Sequence, residues 1–264
     1  MSASWTKLKV SAPTQSDKRG RRPKGEPTAG DIVAYITEPQ SAGDYYSEAD
    51  QAFMMWHTTE RAAVELGIAK AGERPSQQEV LKPALTALLD GRNPRTGQAI
   101  RLGRRRDRVA ALDVTVSPAP KSVSVLWALG SSQLRLELET MVAMAADRAV
   151  MRMLREQPFV RRPGPEGQME HVVGEDYVAA SALHTTARMS PKGRGVPDPQ
   201  LHMHYLLIGA LDEAGKLRAL DSYTLTQYRA ELAAEAGGHL AEFLRQRGFE
   251  IERRLEYRKD KKGR

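Results

Sequence analysis

Two hydrophobic periodicities divide the chain into predicted strands and predicted helices. Apolar and polar positions alternate in segments such as Val109–Val116, which is typical of strands. Apolar residues recur at helical spacing in segments such as Leu134–Arg155. The predicted strands are Trp5–Val10, Val109–Val116, Glu170–Val173, Tyr177–Thr186, Leu201–Leu211, Lys216–Ala219 and Phe249–Tyr257, and the predicted helices are two within Ala29–Gly67, Lys121–Gly130, Leu134–Arg155 and one from Ser222 to about Arg247.

The turns between these segments indicate how they are arranged. Pro118 and Pro120 end the strand before them, and Asp212–Gly215 is typical of a hairpin turn. The strands between Glu170 and Leu211 follow one another, so we expect them in one antiparallel sheet. The pattern predicts an α+β fold in which a central antiparallel sheet has helices packed on one face.

Composition and charge narrow the class of protein. The 264 residues suffice for one large domain, no apolar run approaches the roughly 18 residues of a membrane span, and there is no cysteine. The first ten residues lack the features of a secretory signal, so we expect a soluble protein of the cytoplasm. Lys and Arg exceed Asp and Glu by 40 − 33 = 7, which favours a polyanionic partner such as nucleic acid.

Basic residues concentrate outside the predicted strands and helices. Residues 11–28 combine Pro, Gly and basic residues and are predicted to be a mobile basic loop, and a second basic run covers 101–108. The charged tail 258–264 is predicted to be disordered. We therefore expect one domain over residues 1–257.

A histidine pair on a predicted strand is the strongest chemical signal. His202 and His204 are two residues apart, so both side chains lie on one face of the strand. His184 lies near the end of the preceding predicted strand, and antiparallel pairing would bring it alongside them. Three neutral imidazoles leave coordination positions open for water or a phosphate oxygen, as a catalytic metal site requires.

An isolated His-x-His pair is more often an ordinary polar pair on a half-exposed strand. The third histidine favours the metal interpretation, because half of the six histidines fall in these two strands. We expect His57, His171 and His239 to be structural or surface groups. A divalent ion such as Mg²⁺ or Mn²⁺ is the predicted cofactor, although imidazole ligands tolerate several metals.

Three blocks of the sequence resemble conjugative relaxases of the MobF class, the TrwC and TraI type, within the HUH superfamily of single-strand endonucleases. The first block is Leu112–Ser124, with the sequence LDVTVSPAPKSVS, and the second is His184 together with Asp198–His204, with the sequence DPQLHMH. The third is a tyrosine cluster of Tyr35, Tyr45 and Tyr46. The resemblance spans roughly Asp31 to Glu250, and residues 189–196 look like an insertion relative to the family.

The resemblance implies the two-layer, palm-like fold of HUH relaxases and a nicking activity. A tyrosine oxygen would attack the scissile phosphate at an origin of transfer, leaving a 5′-phosphotyrosine link that a later 3′ hydroxyl can reverse. Single-stranded DNA would be the substrate, and accessory transfer proteins are possible partners. The helices that carry the tyrosines would close over a metal held by His184, His202 and His204.

The nucleophile is a choice among three tyrosines. Family members carry a tyrosine pair and often a second pair several residues later, and Tyr45 and Tyr46 match the second pair whereas Tyr35 stands alone near the first. By position, Tyr35 is the expected initial nucleophile, and the other two remain candidates. A lone Ala-Tyr-Ile is otherwise more often a half-buried helix residue.

Other candidate residues follow from the same blocks. The resemblance places Asp113 beside the metal histidines, where it would orient an imidazole or accept the phenolic proton, although an aspartate on an alternating strand can equally face solvent. Lys121 and Ser122, at a predicted helix start, are candidate phosphate contacts, and helix capping is the alternative. Arg188, Lys192 and Arg194 adjoin the metal motif and are candidate DNA contacts.

Three alternatives to a relaxase remain open at this point. A rolling-circle replication initiator of the same superfamily shares the chemistry, but the block Leu112–Ser124 argues against it. A basic DNA-binding module without catalysis would form no tyrosine adduct, and neither would a metallohydrolase. The chain has no Gly-x-x-x-x-Gly-Lys-Ser/Thr motif, so we expect no helicase motor. The oligomeric state is not predicted.

Overall fold

The computed structural model describes residues 2–9, 27–37, 54–73, 80–100, 109–187 and 197–252. In chain order its elements are β1 (Ser2–Lys9), α1 (Ala29–Thr37), β2 (Met54–Thr58), α2 (Glu60–Glu65), α3 (Lys82–Leu89), β3 (Val109–Ser117), α4 (Lys121–Leu129), α5 (Ser132–Glu156), β4 (Phe159–Pro163), β5 (Met169–Val173), β6 (Asp176–Thr186), β7 (Pro199–Leu211), β8 (Leu217–Arg218), α6 (Ser222–Gln227) and α7 (Arg229–Gln246).

The central sheet is antiparallel throughout. Its strand order is β1-β3-β7-β6-β2, with β8 paired to β7. β7 is the longest strand and is buried along most of its length, because it lies between β3 and β6 in the middle of the sheet. The predicted α+β fold around a central antiparallel sheet is confirmed, but the prediction that helices pack on one face is wrong, because helices cover both faces of the sheet.

Each face of the sheet buries its own core. Val114, Met203 and Leu207 point to the face covered by the long helices α5 and α7. Ala180, Leu206 and their neighbours point to the opposite face, which α1 and α3 cover. The strand alternation therefore sends the residues between these apolar positions, including the predicted site residues of β3, β6 and β7, to the side of α1.

α1 begins at a reciprocal pair of caps. The Thr28 backbone N–H donates to Asp31 Oδ2 at 2.8 Å, and the Asp31 backbone N–H donates to Thr28 Oγ1 at 3.1 Å. This arrangement satisfies two N–H groups that a helix start otherwise leaves unpaired. Ile32, Val33 and Ile36 then face the core at helical spacing, so the helix is fixed both at its first turn and along its buried side.

The prediction of two helices within Ala29–Gly67 missed a strand that lies between them. Only α1 and the short α2 are helical in the described part of that region, and Met54–Thr58 forms the edge strand β2. Met54 and Trp56 are buried at period two, while His57 points to the other face. Five residues are too few for periodicity to separate a strand from a helix, which explains the wrong assignment.

Four further predictions about strands and helix ends differ from the structure. β5 pairs with β4 in a separate two-stranded sheet, not with β6 and β7. Asp221, not Ser222, caps α6, and Tyr228 separates α6 from α7. Residues 249–252 contain no strand, and the rest of the predicted strand ending at Tyr257 lies outside the described residues.

No helix in the described ranges is both long enough and apolar enough to cross a lipid bilayer. The predictions of a mobile loop at 11–28 and a disordered tail at 258–264 fall almost wholly outside the described residues.

Candidate metal centre

Three histidines meet on the sheet face under α1. His184 on β6 pairs directly with His202 on β7, and His204 follows two residues later on the same face. Their ring centroids are 4.5 to 5.4 Å apart, and one nitrogen from each ring lies within 4.8 Å of the others. The structure therefore brings together the three histidines that the sequence predicted as metal ligands.

One ring nitrogen of each histidine lies within hydrogen-bond distance of a carbonyl or carboxylate oxygen. His202 Nδ1 lies 3.0 Å from Gln200 O, and His184 Nε2 lies 2.9 Å from Ile36 O. His204 Nδ1 lies 2.9 Å from Asp113 Oδ1. Because each such nitrogen must carry the hydrogen, the other nitrogen keeps a free lone pair whenever the ring is neutral.

Burial keeps at least two of these imidazoles neutral. Desolvation, together with a smaller effect of the neighbouring imidazoles, lowers the pKa of His184 to about 4 and that of His202 to about 3. Backbone carbonyls at Ile36 and Gln200 act in the opposite direction but do not offset burial. Neutral imidazole is the form that coordinates a metal, so both rings are ready to bind at neutral pH.

These residues fit a divalent metal. Three buried imidazoles converge from two adjacent strands, and the orientation of each ring is fixed by a hydrogen bond. That combination of ligands and outer hydrogen bonds is what metal-binding histidines show in proteins. An all-nitrogen ligand set does not select one metal.

Tyr35 stands over the histidines on α1. Its ring centroid lies 6.0 Å from that of His204 and 6.4 Å from that of His184, both in edge-on orientation. The next residue, Ile36, supplies the carbonyl that accepts the His184 hydrogen bond, so the metal centre and the tyrosine helix are joined directly. Tyr35 is half-buried, as the alternative interpretation also expects, but it is buried against the predicted site.

Asp113 and Thr115 line the β3 side of the histidines. Asp113 is buried, contrary to the alternative of a solvent-facing carboxylate, and holds the His204 ring. Thr115 pairs with His204 across the strands, and its Oγ1 lies 3.4 Å from His204 Nδ1. Thr115 was missed at the sequence level, although its position two residues after Asp113 places it on the same face.

The predicted phosphate contacts at the start of α4 occupy different settings. Ser122 is exposed in the first turn of the helix. Lys121 is exposed as well, but its ammonium is bonded to Asp198 Oδ2 at 2.9 Å and to Pro199 O at 3.3 Å. Neither Ser117 nor Ser122 caps α4, because its N-cap is Pro120 and no side chain caps the first turn.

Several predicted site residues cannot be placed. Tyr45 and Tyr46 lie outside the described residues, and so do Arg188, Lys192 and Arg194.

Two backbone carbonyls, at Ile36 and Gln200, orient the histidines of the site. The sequence did not predict either one, because every residue has a carbonyl and the residue type does not show which carbonyl is used.

The chain is similar to relaxases in sequence. A profile of the TrwC relaxase family matches residues 29–263. The multifunctional conjugation protein TraI of Escherichia coli (strain K12) is 30% identical over 196 residues, which are 72% of this chain and 10% of TraI. A second Escherichia coli TraI is 31% identical over 188 residues, covering 69% and 10%. The chain thus spans about a tenth of the length of these relatives.

Solved structures show the same likeness. The conjugative relaxase TrwC in complex with OriT DNA, in its metal-bound structure, superposes with a TM-score of 0.62 at 25% identity and covers 99% of this chain and 73% of the TrwC chain. The metal-free structure of TrwC with OriT DNA gives a TM-score of 0.58 at 25% identity, covering 99% and 73%.

Proposed function

This chain belongs to the TrwC relaxase family, and we propose that it nicks and rejoins one DNA strand at an origin of transfer by tyrosine transesterification. The observation that carries the proposal is the position of Tyr35 beside three converging histidines. A basic DNA-binding module would not need a buried three-nitrogen site with a phenol next to it.

The proposed reaction exchanges one phosphodiester for another. The phenolic oxygen of the tyrosine attacks the scissile phosphorus, the bond to the 3′ oxygen breaks, and the 5′ phosphate stays on the tyrosine. The departing 3′ oxygen takes up a proton and leaves as a 3′ hydroxyl. Because no bond energy is lost to hydrolysis, a 3′ hydroxyl can reverse the step and reseal the strand.

The metal that these histidines fit, with Mg²⁺ or Mn²⁺ as our candidates, would polarise the scissile phosphate and offset the charge that develops on its oxygens. His184 and His202 supply neutral nitrogen donors over the whole physiological pH range. Asp113 keeps the His204 ring in one orientation and offers a carboxylate oxygen on the same side of the sheet as the tyrosine helix.

We assign Tyr35 as the first nucleophile. Its ring already contacts two of the three histidines, which a residue serving only the core would not need to do. Tyr45 and Tyr46 stay candidates for a second transfer or for contacts to DNA. Asp113 is the candidate to accept the phenolic proton, since a phenol with a pKa near 10 reacts slowly at neutral pH unless it is deprotonated.

The partner that we propose is single-stranded DNA bearing an origin of transfer, with accessory transfer proteins as further possible partners. Ser122 and the free N–H groups at the start of α4 are suited to a phosphate, and Arg188, Lys192 and Arg194 are candidates for backbone contacts. The cytoplasm is the expected location. We propose that the chain recognises the nucleotide sequence at the origin of transfer.

The test is to trap the covalent intermediate. Purified protein is incubated with Mn²⁺ and labelled single-stranded oligonucleotides that cover candidate transfer origins, and the adduct is resolved on a denaturing gel. We expect an adduct that EDTA prevents and that Tyr35→Phe abolishes. Loss of the adduct only in Tyr46→Phe or Tyr45→Phe would reassign the nucleophile, and no adduct with any DNA or metal would refute the enzyme.

A further inference from the structure

Among the described residues, no strand pairs with the start of β7, directly before His202, on the side of β3. β3 and β7 pair up to Val116 and Met203, and the same register would place Pro118 opposite Leu201. Pro118 lies beyond the end of β3 and cannot continue the pairing. Instead the Leu201 N–H donates to Ser124 Oγ on α4 at 3.1 Å. This buried hydroxyl therefore takes the place of a strand partner.

The three residues before Leu201 are attached to the same turn. Lys121 Nζ donates to Asp198 Oδ2 at 2.9 Å and to Pro199 O at 3.3 Å. The Gln200 side-chain amide donates to Ser117 Oγ at 3.4 Å. Ser117 ends β3 and Lys121 begins α4, so both partners belong to the turn that joins these two elements. The turn thus holds four consecutive residues of the β7 start.

The orientation of His202 depends on that stretch of backbone. His204 is oriented by the Asp113 side chain and His184 by a carbonyl of α1, whereas His202 donates to the carbonyl of Gln200, two residues earlier on its own strand. A shift of the β7 start would move that carbonyl and turn the imidazole with it. Outer hydrogen bonds of this kind set ligand orientation and metal affinity.

We infer that Ser124 and Lys121 are positioning residues for the metal ligand His202. Ser124 fixes the backbone at Leu201, and Lys121 fixes it at Asp198 and Pro199. Lys121 is then not a phosphate contact, because its ammonium is already bonded to the carboxylate of Asp198. A DNA phosphate would have to compete with that carboxylate for the ammonium. The inference rests on the proposed function only in treating the three histidines as a metal site.

The experiment measures Mn²⁺ binding to the full chain by isothermal titration calorimetry at about neutral pH, and circular dichroism checks the folding of each variant. Ser124→Ala is expected to weaken Mn²⁺ binding about tenfold, the lower end of the range for lost outer hydrogen bonds. Lys121→Met is expected to weaken it by about threefold, because both partners of its ion pair are exposed. Lys121→Arg keeps the donor and the charge and should restore the wild-type affinity.

Two control variants separate positioning from general effects. Ser131→Ala removes another hydroxyl that accepts a backbone N–H, at the start of α5, and should lower the melting temperature without changing Mn²⁺ affinity. Lys70→Met removes an exposed positive charge from the segment that follows α2. Since Lys121 is exposed, Lys121→Met will fold even if Ser124→Ala does not.

The same variants are titrated with a single-stranded oligonucleotide in EDTA over a range of salt concentrations. A phosphate contact at Lys121 would reduce the slope of log affinity against log salt by about 0.7 relative to Lys70→Met. An equal slope is expected instead. Unchanged Mn²⁺ affinity in both Ser124→Ala and Lys121→Met overturns the inference, and so does a shallower slope for Lys121→Met.

The proposed function can fail separately. A wild type that binds Mn²⁺ but forms no tyrosine–DNA adduct would contradict the relaxase activity and leave the effects of Ser124→Ala and Lys121→Met on metal affinity standing. A wild type that binds no Mn²⁺ would overturn the inference and the metal assignment together.

Discussion

The three histidines of the candidate metal centre donate to two kinds of acceptor, a side chain and backbone carbonyls, and a substitution can change only the first directly. Only His204 is held by a side chain, that of Asp113. His184 and His202 are held by backbone carbonyls of α1 and β7. Asp113 is therefore the one acceptor in this set whose chemistry can be changed without moving the main chain.

Asp113→Asn should separate orientation from charge. The amide oxygen of Asn can still accept from His204 Nδ1, so we expect Mn²⁺ to bind, but the carboxylate that we propose as proton acceptor is lost. Nicking should slow by about 10²-fold or more. Rates come from single-turnover cleavage of a labelled oligonucleotide, with Mn²⁺ affinity measured alongside. Nicking at the wild-type rate would remove Asp113 from the proton transfer.

Neutral buried histidines predict how the metal-free protein responds to acid. His184 and His202 have folded pKa values of about 4 and about 3, against 6.5 for an unperturbed histidine. Between those values the unfolded chain binds protons that the folded chain does not, so stability is complete above pH 6.5 and falls as the pH falls. Each histidine contributes about 1.4 kcal/mol per pH unit over that range.

Urea unfolding in EDTA at several pH values measures this loss. Other groups also titrate, so the relevant quantity is the difference between wild type and His202→Gln, which has no proton to gain at this position. We expect the free energy of unfolding of His202→Gln to fall less steeply from pH 6.5 to pH 5. Parallel curves would show that His202 is not buried in its neutral form.

At the scale of elements, α1 carries both the candidate nucleophile and the carbonyl that holds His184. It has nine residues, which is too short for stable helix in isolation, so its cap and its buried side must fix it. Thr28 and Asp31 provide that cap. The position of Tyr35 therefore depends on Thr28, seven positions earlier in the chain, through the helix cap that it shares with Asp31.

Thr28→Ala is expected to destabilise the fold by about 1 kcal/mol, the usual effect of losing an N-cap. It should also slow adduct formation, because Tyr35 is held less firmly over the histidines. Thr59→Ala is the matched control, since Thr59 caps α2 in the same way, with its side chain accepting from the Ala62 N–H. We expect both variants to lose similar stability and only Thr28→Ala to form the adduct more slowly. This result would support the role of α1 in holding Tyr35 over the histidines.

How far the sequence predicts these elements depends on how long and how regular each pattern is. Val109–Val116 and Leu201–Leu211 are long, alternating or continuously apolar, and both are strands within two residues of the prediction. β2 has only five residues and directly precedes the helix α2, so its period of two could not be distinguished from a helical pattern. β5 alternates well, but the choice of partner depends on tertiary contacts with β4.

The candidate site also has a part that local sequence rules predict and a part that depends on tertiary contacts. Spacing on one strand and antiparallel pairing are local rules, and they were enough to bring His184, His202 and His204 together. The carbonyls of Ile36 and Gln200 could not be predicted, because every residue has a carbonyl and only the folded chain determines which one is close. The engagement of Lys121 by Asp198 likewise joins residues 77 positions apart.

At the scale of the whole molecule, the candidate metal site joins elements that are distant in sequence. The three histidines proposed as ligands come from β6 and β7, and the groups that orient them come from α1, β3 and the β7 start. Unfolding separates all of them, so the unfolded chain cannot hold the ion in the same way. A ligand that binds only the folded state stabilises it by mass action.

Metal should therefore raise the melting temperature of the protein in the absence of DNA. At a free Mn²⁺ concentration about 100 times the dissociation constant, the gain is about 2.7 kcal/mol, which corresponds to a rise of roughly 5 to 10 °C for a domain of this size. Scanning calorimetry with increasing Mn²⁺, and with EDTA as reference, measures it. His202→Gln should show little of this rise, because two imidazoles bind the ion much more weakly than three. Removing one of three converging nitrogens must weaken any site that uses all three. If Mn²⁺ raises the melting temperature of His202→Gln as much as that of the wild type, the stabilising ion therefore lies elsewhere.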